Sequence, residues 1–427
     1  MPKGTAMRAQ FDLPAGADRE LWADFLAICD CGGRRAGTES EDRAFAFIEQ
    51  RAQAATGVRG RSIPVDYGGW TARHASLKLP GGEAVPCHAL LRSVATPASG
   101  LTAEVVDLGR GTPEEFEAHA SDIKGRIVLV RHELMFVAGT IHRRRKYLAA
   151  LEGGAVGFLI AGQLAGQLVA GSSGRQDGPG IPAAGITPEA AAELRRTAHG
   201  WPTATLTIET DERPAQTRTL LFDLPGRTHE WVVLSAHIDG HEGGESAMDN
   251  ASGVAAVLAA ARVLAPLVAG FRRGVRLAFF SVEEWALTGS ARYVESLSDA
   301  ERRAIALNVN LDSVAGSPDL AALTSGFAYL EPFLLGIAES AGVPLRIFRP
   351  LMQNSDHANF ALVGIPALRL VAGFDDPNAN LRYVLTPADT RDKVALADLT
   401  RATALTVAIV VAACEAPEAA GWRGDSR

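Results

Sequence analysis

The sequence is poor in cysteine, lysine and aromatic residues: its 427 residues include 4 cysteines, 5 lysines among 42 basic residues, and 6% aromatics. Cys29, Cys31, Cys87 and Cys414 are too few and too scattered to staple a fold, so the reading is of reduced thiols in a cytoplasmic protein. The close pair Cys29 and Cys31 lacks the second pair or nearby histidine that a zinc knuckle needs. The dominance of arginine over lysine points to a GC-rich bacterial genome. Basic excess is also lacking: 49 acidic residues give a formal net charge of −7, which leaves no electrostatic footprint for nucleic acid and no polybasic face for an anionic membrane. Residues 1–21 contain Lys3 and Arg8 with no apolar stretch behind them, which argues against a secretory signal. The longest apolar run, 402–414, falls short of the ~20 residues that span a bilayer and reads as a buried helix. There is no His-Glu-x-x-His helix, no Gly-x-Ser-x-Gly elbow and no phosphate loop, so those hydrolase and nucleotide classes have no support.

What the sequence does have is apolar bulk, 47% of residues, together with 43 glycines and 22 prolines, enough for two or three domains of roughly 100–200 residues each. Residues 1–70 read as helical, with Leu21, Phe25, Ile28 and then Phe45, Phe47 and Ile48 on recurring faces broken by Gly32-Gly33, and are taken as the N-terminal part of a catalytic domain. Residues 71–215 change character to short apolar runs, 126–130 and 155–160, set among Gly, Pro and Ser, and read as a β-rich insert with few helices. From 216 to 427 apolar strands (231–236, 275–280, 306–311, 367–371) alternate with helices (253–264, 290–296), which predicts an α/β fold with a mixed, mostly parallel sheet flanked by helices.

Open α/β sheets hold ligands beyond the carboxyl ends of their strands. Four such places carry chemistry: His237 and Asp239 after one strand, Asp249-Asn250 before a helix, Glu283-Glu284 after the next strand, and Asp312 after a third. Carboxylates gathered on one sheet edge need a cation, because unpaired buried charges cost several kcal/mol each. Asp239 has the spacing to orient the His237 imidazole, and of the adjacent pair Glu283-Glu284 one carboxylate can ligate while the other serves as general base. Taken singly each acid reads more simply as a helix cap or a solvated loop residue, and Asp249 or Asn250 as an N-cap. The combination at successive strand ends carries the functional reading.

Ala236-His237-Ile238-Asp239, Asp249-Asn250-Ala251-Ser252-Gly253-Val254, Ser281-Val282-Glu283-Glu284-Trp285, Asn310-Leu311-Asp312, Ser355-Asp356-His357 and Thr386-Pro387-Ala388-Asp389-Thr390 together resemble the co-catalytic dizinc aminopeptidase family, which also contains glutamate carboxypeptidases and glutaminyl cyclases. Lys124-Gly125-Arg126-Ile127-Val128-Leu129-Val130, Gly153-Gly154-Ala155 and Gly180-Ile181-Pro182-Ala183 resemble the protease-associated domain inserted in such enzymes, where it narrows the active-site mouth. Gly33-Arg34-Arg35-Ala36-Gly37-Thr38 resembles the family's N-terminal segment, which folds back on the catalytic sheet. The resemblance implies Asp249 as bridging ligand, His237 and Asp312 as its partners at one metal, Glu284 at the other, and Glu283 as the base. Where the family has a histidine before Thr-Pro-x-Asp-Thr, this chain has Leu385. That departure implies one occupied divalent metal site per chain, Mn²⁺ or Zn²⁺, with His241 and His357 read as pocket-lining alternatives.

The combination of this fold with a single metal resembles the nitroaromatic amine aminohydrolases, and that resemblance implies C–N hydrolysis of a small aromatic amine, 5-nitroanthranilate to 5-nitrosalicylate and ammonia. A metallo-aminopeptidase and a non-catalytic scaffold are the alternatives. Arg292, Arg349, Arg369 and Arg382 are candidate anchors for a substrate carboxylate, with His357 and Leu385 lining the pocket. The partners implied are a small-molecule substrate and a second copy of the chain in a homo-oligomer, with neither nucleic acid nor membrane.

Overall fold

A computed structural model describes residues 13–175, 178–196, 198 and 200–417. Lys3 and Arg8 of the N-terminal segment lie outside the described residues. The chain divides into two compact units: one holds the chain up to Tyr67, Gln216–Val384 and the chain from Asp389 on, and the other holds Gly68–Ala215 and Leu385–Ala388.

In the first unit, two helices, α1 (Ala17–Asp30) and α2 (Glu39–Thr56), flank the Gly32-Gly33 turn. The strands are the end of β1 (Thr203–Leu224), β2 (Trp231–His237), β3 (Gly274–Phe280), β4 (Ile305–Leu311), β5 (Leu320–Leu323), β6 (Leu345–Phe348) and β7 (Ala367–Ala372), and the long helices after β2 and β7 are α3 (Ser252–Val268) and α4 (Leu396–Glu415). The sheet order is β6-β5-β7-β4-β2-β3-β1. The pairs β2–β3, β2–β4, β4–β7 and β5–β6 are parallel, while β1 against β3 and β5 against β7 are antiparallel. This is a mixed α/β fold with a mostly parallel central sheet. β2 and β4 show why: nearly every residue is buried and most are apolar, the pattern of strands covered on both faces, and of the polar exceptions Ser235, Asn308 and Asn310 hydrogen-bond to one another between the two strands.

α1, α2 and α4 all pack on α3. The run 402–414 belongs to α4, which is 20 residues long and so meets the length for a bilayer span; its Leu399, Ala402, Leu405, Ala408 and Ile409 are buried. The buried-helix reading therefore rests on packing, since the length argument fails. β5 and β6, four residues each, have no counterpart in the sequence reading, because so short a run carries no periodicity.

The second unit has its own sheet. Leu101–Asp107, Ile127–Arg131, Gly157–Ala161 and Ala183–Ile186 run parallel in that order, with His88–Ala89 antiparallel at one end and the start of β1 antiparallel at the other. Parallel neighbours require crossovers. Helices Pro113–Ala118 and Arg143–Glu152 lie in two of the three, and Tyr147, Ala150, Val128, Val130, Phe158 and Ile160 share the core between helix and sheet. The unit is thus less purely β than its composition indicates.

Candidate metal centre

β2 ends on His237, which is fully buried. Its Nδ1 faces the Asp239 backbone carbonyl at 2.9 Å, and the Asp239 carboxylate stands farther off at 3.7 Å. The expected orienting role of Asp239 is therefore carried by its main chain. Its carboxylate has different work: it accepts the backbone N–H of Glu283 at 3.1 Å and of Glu284 at 3.2 Å, tying the loop after β3 to the loop after β2.

The other ring nitrogen, Nε2, lies 3.0 Å from Asp249 Oδ1 and 3.6 Å from Asp312 Oδ1, yet makes no well-formed hydrogen bond. His237, Glu283 and Asp312 each offer a ligand atom, and these atoms all lie within 4.8 Å of one another. A buried imidazole nitrogen aimed between carboxylates is an arrangement that a divalent cation satisfies. Electrostatics tells the same story. Burial opposes charge on His237, but Glu283, Asp239, Asp249 and Asp312 outweigh it and hold its pKa well above the usual value.

Burial pushes the Glu283 carboxyl well up, against the pull of His237 and with the help of Glu284 and Asp356. Burial, then Asp312 and Glu284, raise Asp249. Asp312 is the exception: burial acts upward on it, but Arg369 and His237 hold it below the ordinary range. Asp356, at 0% exposure, is pushed up to about 7 by burial although His237 opposes the shift.

Asp249 owes its freedom to its neighbour. Asn250 Oδ1 accepts the N–H of Gly253 at 2.9 Å at the start of α3, and its Nδ2 donates to the Leu311 carbonyl at 2.8 Å. The capping role that either residue could fill thus falls to Asn250. Gly253 is needed here, since a Cβ would lie 2.3 Å from Asn250 Oδ1 and 2.4 Å from the Leu311 carbonyl. From the other side Asp389, pushed up to about 7 by burial, accepts the N–H groups of Met248 and Asp249.

The loop between Asp239 and Asp249 is held by a residue whose role the sequence did not disclose. Arg34, fully buried, donates to the carbonyls of Ile238 (2.9 Å), Gly32 (2.8 Å), Glu245 (2.7 Å) and Ser246 (2.7 Å). Its partners at 238–246 are over two hundred positions away, so no local pattern reveals the clamp. On that loop His241 Nε2 meets Glu284 Oε1 at 2.5 Å.

Three of the substrate candidates have contacts or burial that leave little for a substrate. Arg292 pairs with Glu295 at 2.9 Å, three residues along the same helix, with both side chains exposed. Arg369 is buried, 3.1 Å from Asp312 Oδ1 and donating to the Asn354 carbonyl, so its charge is spent on a site carboxylate. His357 has 0% exposure and is driven down to about 3 by burial and Arg369, which leaves it neutral with no surface for a substrate. Of the other two arginines, Arg349 pairs with Glu331 at 2.6 Å, and the Arg382 guanidinium lies over the Tyr383 ring. Leu385 belongs to the second unit, where its carbonyl accepts the Ala170 N–H at 2.8 Å, and its side chain offers no donor atom to a metal.

Residues 219–410 match the family model for peptidase family M28, and residues 98–194 match that for the PA domain. A probable lipoprotein aminopeptidase of Mycobacterium tuberculosis is 30% identical over 316 residues, covering 69% of this chain and 61% of that protein. An aminopeptidase from Aneurinibacillus sp. strain AM-1 superposes with a TM-score of 0.72 at 26% identity, covering 96% of this chain and 95% of the other. A zinc aminopeptidase from Bacillus subtilis gives a TM-score of 0.76 at 23% identity over 96% and 98% of the two chains. The chain spans about half to three-fifths of the length of the curated relatives it matches. These relatives are named as aminopeptidases, and deamination of 5-nitroanthranilate finds no support among them. The chain has the zinc-peptidase fold of peptidase family M28 with an inserted PA domain, and its homologues include aminopeptidases.

Proposed function

We propose that the protein is a divalent-metal-dependent aminopeptidase. The observation that carries this reading is the buried His237 Nε2 aimed between Asp249 and Asp312 with Glu283 alongside. His237, Asp249 and Asp312 would hold the cation, and zinc is favoured because a relative of this fold is named a zinc aminopeptidase. When bound, the ion supplies Lewis acidity that polarises the scissile carbonyl and acidifies water.

Glu283 does the proton work. Its raised affinity for protons suits it to take one from the attacking water and return it to the departing amino nitrogen, an exchange worth ~10²–10⁴-fold in rate. Asp239 positions the backbone of Glu283, and Arg369 keeps Asp312 ionised. Aminopeptidase chemistry displaces the earlier expectation of aromatic deamination because the homologues are aminopeptidases.

The test is release of 4-nitroaniline from leucine 4-nitroanilide by zinc-loaded protein, abolished by a chelator and restored by zinc. No cleavage of any aminoacyl anilide, with ammonia released from 5-nitroanthranilate instead, would overturn the reading.

A further inference from the structure

We propose that His241 is a metal ligand, forming with Glu284 and a share of Asp249 a second cation position in this site. The inference rests on the metal-centre reading above and runs against the expectation of a single ion. Leu385 stands in sequence where the family resemblance places a histidine, and a leucine side chain donates nothing to a metal. A second cation therefore needs its imidazole from elsewhere, and the first unit supplies one.

His241 Nε2 and Glu284 Oε1 are 2.5 Å apart, with side chains 12% and 7% exposed. Glu284 directly follows Glu283 of the His237 cluster, and Asp249 Oδ1 lies 3.0 Å from His237 Nε2, so the pair adjoins that cluster along the chain.

The loop that carries His241 is built rather than incidental. Arg34 clamps the carbonyls on either side of it, at Ile238, Glu245 and Ser246. The His241 N–H donates to Ser246 Oγ at 3.0 Å. Gly33 lies so close beneath that a Cβ there would fall 1.9 Å from the His241 carbonyl oxygen. The Asp239 carboxylate that fixes the Glu284 N–H sits two residues before His241, so one short segment sets both partners.

An ion pair alone would also bring imidazole and carboxylate together, and spacing bears on the choice. Two ligands on one ion with bonds of about 2.1 Å in tetrahedral geometry stand roughly 3.4 Å apart, so the pair has to part by about 1 Å to admit the ion. One imidazole and one monodentate carboxylate with a shared second carboxylate make a nitrogen and oxygen set suited to zinc.

The experiment is metal stoichiometry of the full chain by mass spectrometry of the elements after equilibration at graded free zinc, for the wild type and His241→Ala. Two ions per chain in the wild type and one in His241→Ala, with the second affinity lowered at least hundredfold, is the expected result. One ion in the wild type, or two in the variant, would overturn it. X-ray absorption of fully loaded wild type keeps the test independent of whether the variant folds: about one imidazole per zinc at two zinc is expected, whereas half that number refutes the assignment. Failure of the aminopeptidase reading appears separately, as absent anilide cleavage at any metal content.

Discussion

In the first unit Glu41, Asp249, Glu283, Asp356 and Asp389 all have carboxyls raised by burial, whereas in the second Glu133 is held below its ordinary range despite burial. Glu133 has Lys146 at 2.6 Å and Arg110 against it, and Arg131 pairs with Asp107 at 2.6 Å. The acids Glu133 and Asp107 of the second unit are thus matched by cations at hydrogen-bond distance. In the first unit acids outnumber their cationic partners at the sheet edge, an unfavourable arrangement that persists where it serves binding or proton transfer.

The sharpest way to test the contrast is to remove one of the crowded acids. Glu283→Gln should lower kcat for aminoacyl anilides by ~10²–10⁴-fold with metal content unchanged. A loss under tenfold in steady-state kinetics would mean that this acid does no proton work. Next in size is Arg34→Met, which strands four carbonyls, those of Ile238 and Ser246 fully buried and those of Gly32 and Glu245 partly so, at ~1–3 kcal/mol for each that stays buried and unpaired. A destabilisation of at least ~3 kcal/mol is expected from urea unfolding of the first unit, with the second unit's transition unmoved.

Acid should then separate the two units by sign. His132, in the second unit, is lowered to about 3 by burial with Arg143 and Lys146 adding to it. Its neutral form contributes stability above the unfolded pKa of about 6.5, and that contribution is lost as pH falls from there toward 3. Glu41 is raised to about 7, mainly by burial, so its contribution is complete below about 4.5 and is lost as pH rises through 7. His132→Phe should therefore flatten the acid side of the stability profile and Glu41→Gln the neutral side, each by at most about 1.4 kcal/mol per pH unit. Melting temperatures from pH 4 to 8 would show it, and parallel profiles for both variants and wild type would refute it. Smallest of all, Arg292→Ala should change KM less than about twofold and stability by under ~0.5 kcal/mol, because its ion pair is exposed. A tenfold rise in KM would restore it as a substrate anchor.

Much of the first unit was legible before folding. Parallel strands buried on both faces have to be apolar runs, and the four runs 231–236, 275–280, 306–311 and 367–371 each fall within an observed strand. Polar residues at their carboxyl ends stand out against that background, so His237, Asp249, Glu283, Glu284 and Asp312 could be picked out together. The short strands β5 and β6 offered no such contrast. The arginine anchors could not be ranked because sequence shows a charge without its partner, and Arg369 has Asp312 at 3.1 Å.

The sequence by itself singled out which side chains are chemically suited to metal binding and proton transfer, since that depends on residue type and on the order of strands. Tertiary structure alone decided what each does: that Asp239 uses its carbonyl on His237 and its carboxylate on the Glu283 and Glu284 backbone, that Asn250 caps while Asp249 stays free, and that Arg34 shapes a loop far along the chain. The reason is that burial and pairing are properties of position in space, and the free energy of a charged group is set by what surrounds it.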